Sequence, residues 1–292
     1  MRVSNEKMIE KPKNPPASPP APPAAGQWDH STHESFYDYY AKESQTDEAK
    51  QRFRRVRDNI LRIIANEGRA DQALDVVDLG CGAGTQSMLW AEMGHVVHAV
   101  DINEPLVALG RERAAKAELS IDFRTGLATS LPWPDESADV CIALELLEHV
   151  ADWRSCLNEC VRILRPGGAL FLTTSNRLCP VQAEFNLPLY SWYPSALKHH
   201  FERMAVTTRP DLANYAKYPA VNWFTYYGLR DVLSSSGFRC LDRFEMMDLP
   251  EKGALARSIV AMMRWFPPLR GLGHVCTRGT RILALKGSAP AR

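Results

Sequence analysis

Ten residues at positions 76–85, reading VVDLGCGAGT, constrain this 292-residue chain more than any other stretch. The apolar run 76–79 predicts a short buried strand. It breaks into glycines at alternate positions, Gly80, Gly82 and Gly84, and a helix-like pattern resumes from Gln86. Glycine lets the backbone take positive φ and lets a ligand approach without meeting a Cβ. About twenty residues on, a second apolar run over 95–100 ends in Asp101, where an acid at a strand tip beside a glycine turn would hydrogen-bond a ribose diol. The order D-x-G-x-G-x-G, with Asp78 two residues before Gly80, differs from the G-x-G-x-x-G of dinucleotide binders and calls for no pyrophosphate cradle. A glycine-rich turn that binds nothing is the plainer alternative.

The chain around this stretch alternates strand and helix. Hydrophobic periodicity predicts an amphipathic helix over 48–66, with Phe53, Val56, Ile60, Ile63 and Ile64 on one face. It predicts strands over 76–79, 95–100, 121–125, 138–144 and 169–175, and helices over 85–92, 104–117 and 152–164. Repeated βα units imply a parallel sheet with helices on both faces. Arg165-Pro166-Gly167-Gly168 ends the last of these helices, because Pro cannot continue it and Gly caps it. A helix over 227–236 and strands over 240–246 and 280–286 complete the pattern. Ligands in such sheets lie beyond the carboxyl ends of the strands, and those ends carry Asp78, Asp101, Gly126, Glu145 and Asn176.

With these motifs in view, the sequence resembles the class I S-adenosylmethionine-dependent methyltransferases, of the type 11 kind. The likeness covers roughly residues 50–177, and the glycine loop and the helix–Pro-Gly-Gly–strand junction carry it. It implies a Rossmann-like α/β sheet of seven strands, six parallel and one antiparallel, with helices on both faces and an inserted lid. It also implies an enzyme that transfers a methyl group from S-adenosylmethionine. Residues carried over as cofactor-binding are Asp78, Gly80, Cys81, Gly82 and Gly84 in the first loop, and Asp101 and Ile102 after the second strand. Gly126, Leu127 and Ala128 follow the third strand, and Leu144 ends the fourth. The third loop reads Gly126-Leu127-Ala128-Thr129-Ser130-Leu131-Pro132, so Leu127 replaces the acid of the family's G-D-A-x-x-L-P pattern.

After the fourth strand comes Glu145-Leu146-Leu147-Glu148-His149-Val150. One helical turn directs two carboxylates and an imidazole at that spacing to one point, a set that suits Mg²⁺, Mn²⁺ or Zn²⁺. The alternative is an acid hydrogen-bonded to backbone that caps the next turn. The E-x-x-E-H-V pattern is similar to the ubiquinone-biosynthesis O-methyltransferases, a resemblance that implies Glu145, Glu148 and His149 as ligands of a divalent metal such as Mg. That group's Trp-Trp and Asn-Pro-x-Arg signatures have no counterpart here, which leaves the acceptor open. Without a metal, His149 is the natural general base, with Glu145 beside it, because imidazole titrates near neutrality.

The implied reaction is methyl transfer to a hydroxyl oxygen of a small hydrophobic or phenolic acceptor resembling a ubiquinone precursor. Rivals are C-methylation of a lipid or polyprenyl chain, O-methylation of a sugar or natural product, and a catalytically silent cofactor-binding partner. A net charge of +1 argues against nucleic acid as a partner. The seven scattered cysteines fit free thiols in a reducing compartment. No apolar stretch has signal-peptide or membrane-spanning form, so the expected location is cytoplasmic, with the inner membrane face as a further option.

Three segments lie outside the sheet pattern. Residues 1–26 form a Pro-rich tail expected to be disordered, ahead of a methyltransferase domain over 27–292. Aromatics in 28–40, including Trp28, Phe36, Tyr37, Tyr39 and Tyr40, would cover the cleft or pack on the sheet. An insertion at about 178–225 carries Trp192, Tyr193, His199, His200, Tyr215, Tyr218, Trp223 and Phe224. It would roof the acceptor site, touch a membrane through 187–224, or pack on itself as a small subdomain. A second insertion at about 251–279 contains a basic amphipathic stretch over 254–275, which would lie on lipid, line the acceptor channel or bury itself in a hairpin or dimer contact. A monomer or a homodimer is expected.

Overall fold

A computed structural model describes residues 37, 40–69, 72–182, 184–213, 220–249 and 253–287. The 1–26 tail, most of the aromatic 28–39 segment, Tyr215 and Tyr218 lie outside the described residues. Helix α1 (Asp47–Asn66) precedes the sheet, its first turn capped by the Thr46 hydroxyl, which accepts from Ala49 N at 3.3 Å. Its apolar stripe buries Ile60, Ile63 and Ile64. Then follow β1 (Asp75–Leu79), α2 (Thr85–Ala91), β2 (Val96–Asp101), α3 (Glu104–Lys116), β3 (Ile121–Thr125), β4 (Ala138–Leu144), α4 (Trp153–Ile163) and β5 (Leu164–Ser175). The second half adds α5 (Ser195–Thr207), α6 (Tyr226–Ser235), β6 (Phe238–Asp242), α7 (Ala254–Trp265), α8 (Pro267–Val275) and β7 (Gly279–Lys286).

The seven strands stand in the order β3-β2-β1-β4-β5-β7-β6. The first five are mutually parallel, and β7 runs antiparallel between β5 and β6. Strand order therefore reverses between β1 and β4, the switch point at which such sheets open a crevice. β1, β4 and β5 are buried on both faces, which explains their continuous apolar runs. One face packs Leu147, Leu157, Ile163, Leu229 and Leu233 against the sheet. The other packs Ile60, Ile63, Trp90 and Met246. Each fully buried Leu or Ile side chain stabilises the fold by roughly 1.5–3 kcal/mol.

At the opposite end of the sheet from the crevice, Asp139 ties three strands together. It accepts from Asp75 N at 3.0 Å and from Arg165 Nη1 at 2.9 Å, and Arg69 is its third partner. Burial pushes this carboxyl up, but those three donors outweigh burial and hold it below the usual carboxylate range.

Three boundaries differ from expectation. β5 begins at Leu164, so Arg165 to Gly168 belong to the strand and turn within it, with Gly167 at φ +77°. β6 stops at Asp242 because that side chain accepts from Phe244 N and Glu245 N at 2.9 and 3.0 Å, which bends the chain away from the sheet. The 254–275 stretch is two helices, since Pro267 and Pro268 fit the first turn of a new helix and cannot continue the old one.

Candidate active site

The glycine loop folds as its spacing demands. Gly80, Gly82 and Gly84 have φ of +69°, +52° and +75°. A Cβ on Gly84 would stand 2.5 Å from the Phe123 ring, so this glycine also permits α2 and α3 to close on β3. Gly80 N and Cys81 N donate to Val100 O at 2.8 and 3.2 Å, which draws the loop to the tip of β2. There Asp101 Oδ2 accepts from Gly82 N at 2.8 Å and Oδ1 from Asn103 N at 2.9 Å. Burial raises the Asp101 carboxyl while these backbone donors pull it back. Each oxygen has a further lone pair to offer, so the pair of oxygens fits the two hydroxyls of a ribose.

Gly126 N donates to Asp101 O at 3.0 Å, which brings the loop after β3 against the same strand tip. Ile102 and Leu127 are exposed there, and Ala128 packs on the core. These residues form an open edge beside the glycine loop and do not line the large cavity next to it.

Asp78 lies inside the end of β1, as its motif suggests. It is buried under the loop, its Oδ2 accepting from Ser87 Oγ at 2.6 Å, and it locks the loop to α2. Burial raises its pKa to about 7, against the Ser87 bond and with the help of Asp101. Its inward face still borders the cavity.

That cavity, of about 1030 Å³, opens on the α1 face of the sheet. Gly80, Cys81, Leu144, Glu145 and His149 line it, together with Tyr40 and Glu184. The Tyr40 ring lies over Gly82, where a Cβ would approach it to 3.3 Å. Glu145 is forced to φ +48° where the chain leaves β4, and its N donates to Thr173 O and Oγ1 at 2.9 and 3.1 Å. Asn222 fixes the rest of the turn, its Nδ2 donating to Leu147 O and Val150 O at 3.0 and 2.7 Å.

The metal trio is not assembled. Among the described residues no three His, Cys, Asp or Glu side chains form a group able to hold a metal ion. Glu148 turns inward and is 0% exposed, its Oε2 accepting from Thr174 Oγ1 at 2.7 Å, whereas Glu145 and His149 border the cavity. Burial first, and the Glu145 carboxylate second, push Glu148 well above the ordinary carboxylate range. With Glu148 turned away from the cavity that Glu145 and His149 border, this donor set does not converge on one ion. The buried Glu148 Oε1 has no hydrogen-bond partner.

Glu184, Thr174 and Asn222 were not legible as site residues from the sequence. Glu184 lies in the insertion with no motif around it, yet burial and the nearby Glu145 raise it to about 7. The Thr-Thr-Ser-Asn-Arg run at the end of β5 was the one available signal for Thr174. His199 and His200 are exposed and far from any ligand set, with His199 paired to Glu202 at 2.9 Å.

Residues 77–172 match the family described as the methyltransferase domain. That match covers about a third of the chain. A ubiquinone biosynthesis O-methyltransferase of Sinorhizobium fredii is 30% identical over 158 residues, which cover 51% of this chain and 62% of that protein. One of Parvibaculum lavamentivorans is 36% identical over 115 residues, covering 39% of this chain and 46% of its own. The chain thus spans less than two thirds of the length of these curated relatives. The PH0226 protein of Pyrococcus horikoshii shares the fold, with a TM-score of 0.53 at 15% identity over 85% of this chain and 95% of that one. The glycine loop, the Asp101 tip and the E-x-x-E-H turn all fall within the matched residues.

Proposed function

We propose that the chain is an S-adenosylmethionine-dependent methyltransferase acting on a hydroxyl oxygen of a small hydrophobic or phenolic molecule, one resembling a ubiquinone precursor. The observation that carries this reading is Asp101, set by Gly82 N and Asn103 N with one acceptor position open on each oxygen. Asp101 would hold the ribose, Ile102 and the Gly126–Ala128 loop would flank the base, and Gly80 to Gly84 would pass under the amino-acid end. Leu144, at the tip of β4, would border the sulfonium. The cofactor supplies a methyl group already activated on sulfur.

The protein's share is placement of the acceptor oxygen and removal of one proton. His149 would take that proton, with Glu145 beside it and Glu184 across the cavity to balance the imidazolium charge. Beneath them Glu148, pushed well above the ordinary carboxylate range by burial, is secured by Thr174. C-methylation is the second reading, favoured by Glu184, since a carboxylate raised to about 7 is a competent base at a double bond.

A peripheral membrane contact also belongs to this proposal, through 254–275 in preference to 187–224. In the first insertion Phe185 stacks on Tyr190 with centroids 4.1 Å apart, and Tyr193, Phe201 and Trp223 join the same cluster. Most of its aromatic surface is therefore spent internally.

The test is titration calorimetry with S-adenosylhomocysteine, then turnover of catechols, polyprenyl phenols, sugars and fatty acids. Asp101→Ala should weaken nucleoside binding by more than about tenfold, the loss of charge-assisted hydrogen bonds. Unchanged affinity would remove the ribose assignment.

A further inference from the structure

What the acceptor carries at its far end rests on the methyltransferase reading and follows from two arginines outside the chemistry described so far. Arg243, on the turn after β6, and Arg281, in β7, line the same cavity as Glu145 and His149. Arg281 stands opposite Thr173 of β5, and the Thr173 carbonyl and hydroxyl accept from Glu145 N. Arg281 is thus two strand spacings from Glu145, roughly 10 Å across the sheet.

Neither guanidinium has a carboxylate partner among the described residues. Arg243 Nη2 donates to Gly279 O at 2.7 Å. The neighbouring acids are committed elsewhere. Asp242 Oδ2 takes Arg270 Nε at 2.7 Å and His274 Nε2 at 2.9 Å, and its Oδ1 takes two backbone donors. Glu245 pairs with Arg270 at 2.6 Å, and Asp248 with Arg62 at 3.8 Å. Burial, and then the charge of Arg281, lower Arg243 to about 10. Two like charges, Arg243 half-buried and Arg281 exposed, act on one another, and an arriving anion relieves their repulsion.

We propose that Arg243 and Arg281 bind an anionic group of the acceptor, a carboxylate or a phosphate, at the end remote from its reacting hydroxyl. The planar arginine fork matches either group. Glu145 and Glu184 near the reacting end repel the same anion, so only one orientation of the acceptor is favoured.

The experiment is calorimetry on the full chain saturated with S-adenosylhomocysteine, using 4-hydroxybenzoate, 4-hydroxyphenylphosphonate and the neutral 4-hydroxybenzamide as probes. At least one anionic ring should bind about tenfold or more tighter than the amide, and the order of the two anions identifies the group. Arg281→Gln should cut that preference by about tenfold, and Arg243→Lys, which keeps the charge and spares the fold, should retain part of it. Equal binding of anionic and neutral rings, a preference untouched by Arg281→Gln, or no binding of any ring overturns the proposal. Failure of the methyltransferase reading shows separately, as absence of heat with S-adenosylhomocysteine. The same rings titrated into the unliganded chain then still read the arginine pair.

Discussion

At the scale of single residues, the cavity brings several carboxylates close together. Burial, and then Glu145, push Glu148 well above the ordinary carboxylate range, and Thr174 secures it. Glu184, raised to about 7, titrates where an imidazole would. Below about pH 7 Glu184 is protonated and would offer no charge to an imidazolium formed at His149, and above it the anion is present. Methyl transfer should therefore rise with pH through about 7. Glu184→Gln should lower kcat by about tenfold, with a smaller change in KM, and flatten that rise. A pH–rate profile of the variant superimposable on the parent's would remove Glu184 from the proton path.

At the scale of elements, α7 and α8 decide what the second insertion does. Arg264 fastens α7 to the turn after β6, its guanidinium donating to Phe244 O, Glu245 O and Met247 O at 2.8, 3.1 and 3.1 Å. Asp242 fastens α8 through Arg270 and His274. With their polar anchors turned inward, the helices present Leu255, Ile259, Met262, Trp265 and Phe266 outward, Leu255 77% and Trp265 85% exposed. No Asp or Glu occurs between positions 254 and 278, whereas four arginines do. Such a stripe, at i, i+4, i+7, i+10 and i+11, suits the surface of an anionic bilayer. The chain should sediment with vesicles containing phosphatidylglycerol. Trp265→Glu should reduce that binding by about tenfold and leave thermal stability unchanged, because the ring touches little. Equal sedimentation of the two proteins would argue against lipid on this face.

At the scale of the whole molecule, no helix among the described residues is long and apolar enough to cross a membrane, and the fold's stability is tied to two buried acids. Asp139 joins β1, β4 and β5 at the closed end of the sheet, and Asp242 joins β6 to α8 near the open one. Burial acts on both to raise the carboxyl, and their donors more than reverse it, so both lie below the ordinary value. Their stabilisation is complete above the unfolded pKa, about 4, and drains away as pH falls through the lower folded values. Melting temperature should drop steeply below about pH 4. The drop should be shallower in Asp139→Asn, which begins less stable by about 1–3 kcal/mol. Parallel acid limbs for the two proteins would show that Asp139 is not a source of the slope.

The sequence alone determined the sheet, because periodicity and punctuation are local: apolar runs of strand length, Gly80, Gly82 and Gly84 at φ-demanding positions, and prolines that end helices. It also determined the placement of Asp101 against the glycine loop, since a strand tip about twenty residues after a glycine turn has one neighbour to meet. Only the tertiary structure decided which way Glu148 faces and that its pKa is raised, because the first depends on Thr174 in another strand and the second on exclusion of water. The same holds for Glu184, Arg243 and Arg281. They come from three separate segments, and their chemistry is set by the charges and solvent they meet in the cavity, quantities that no spacing along the chain encodes.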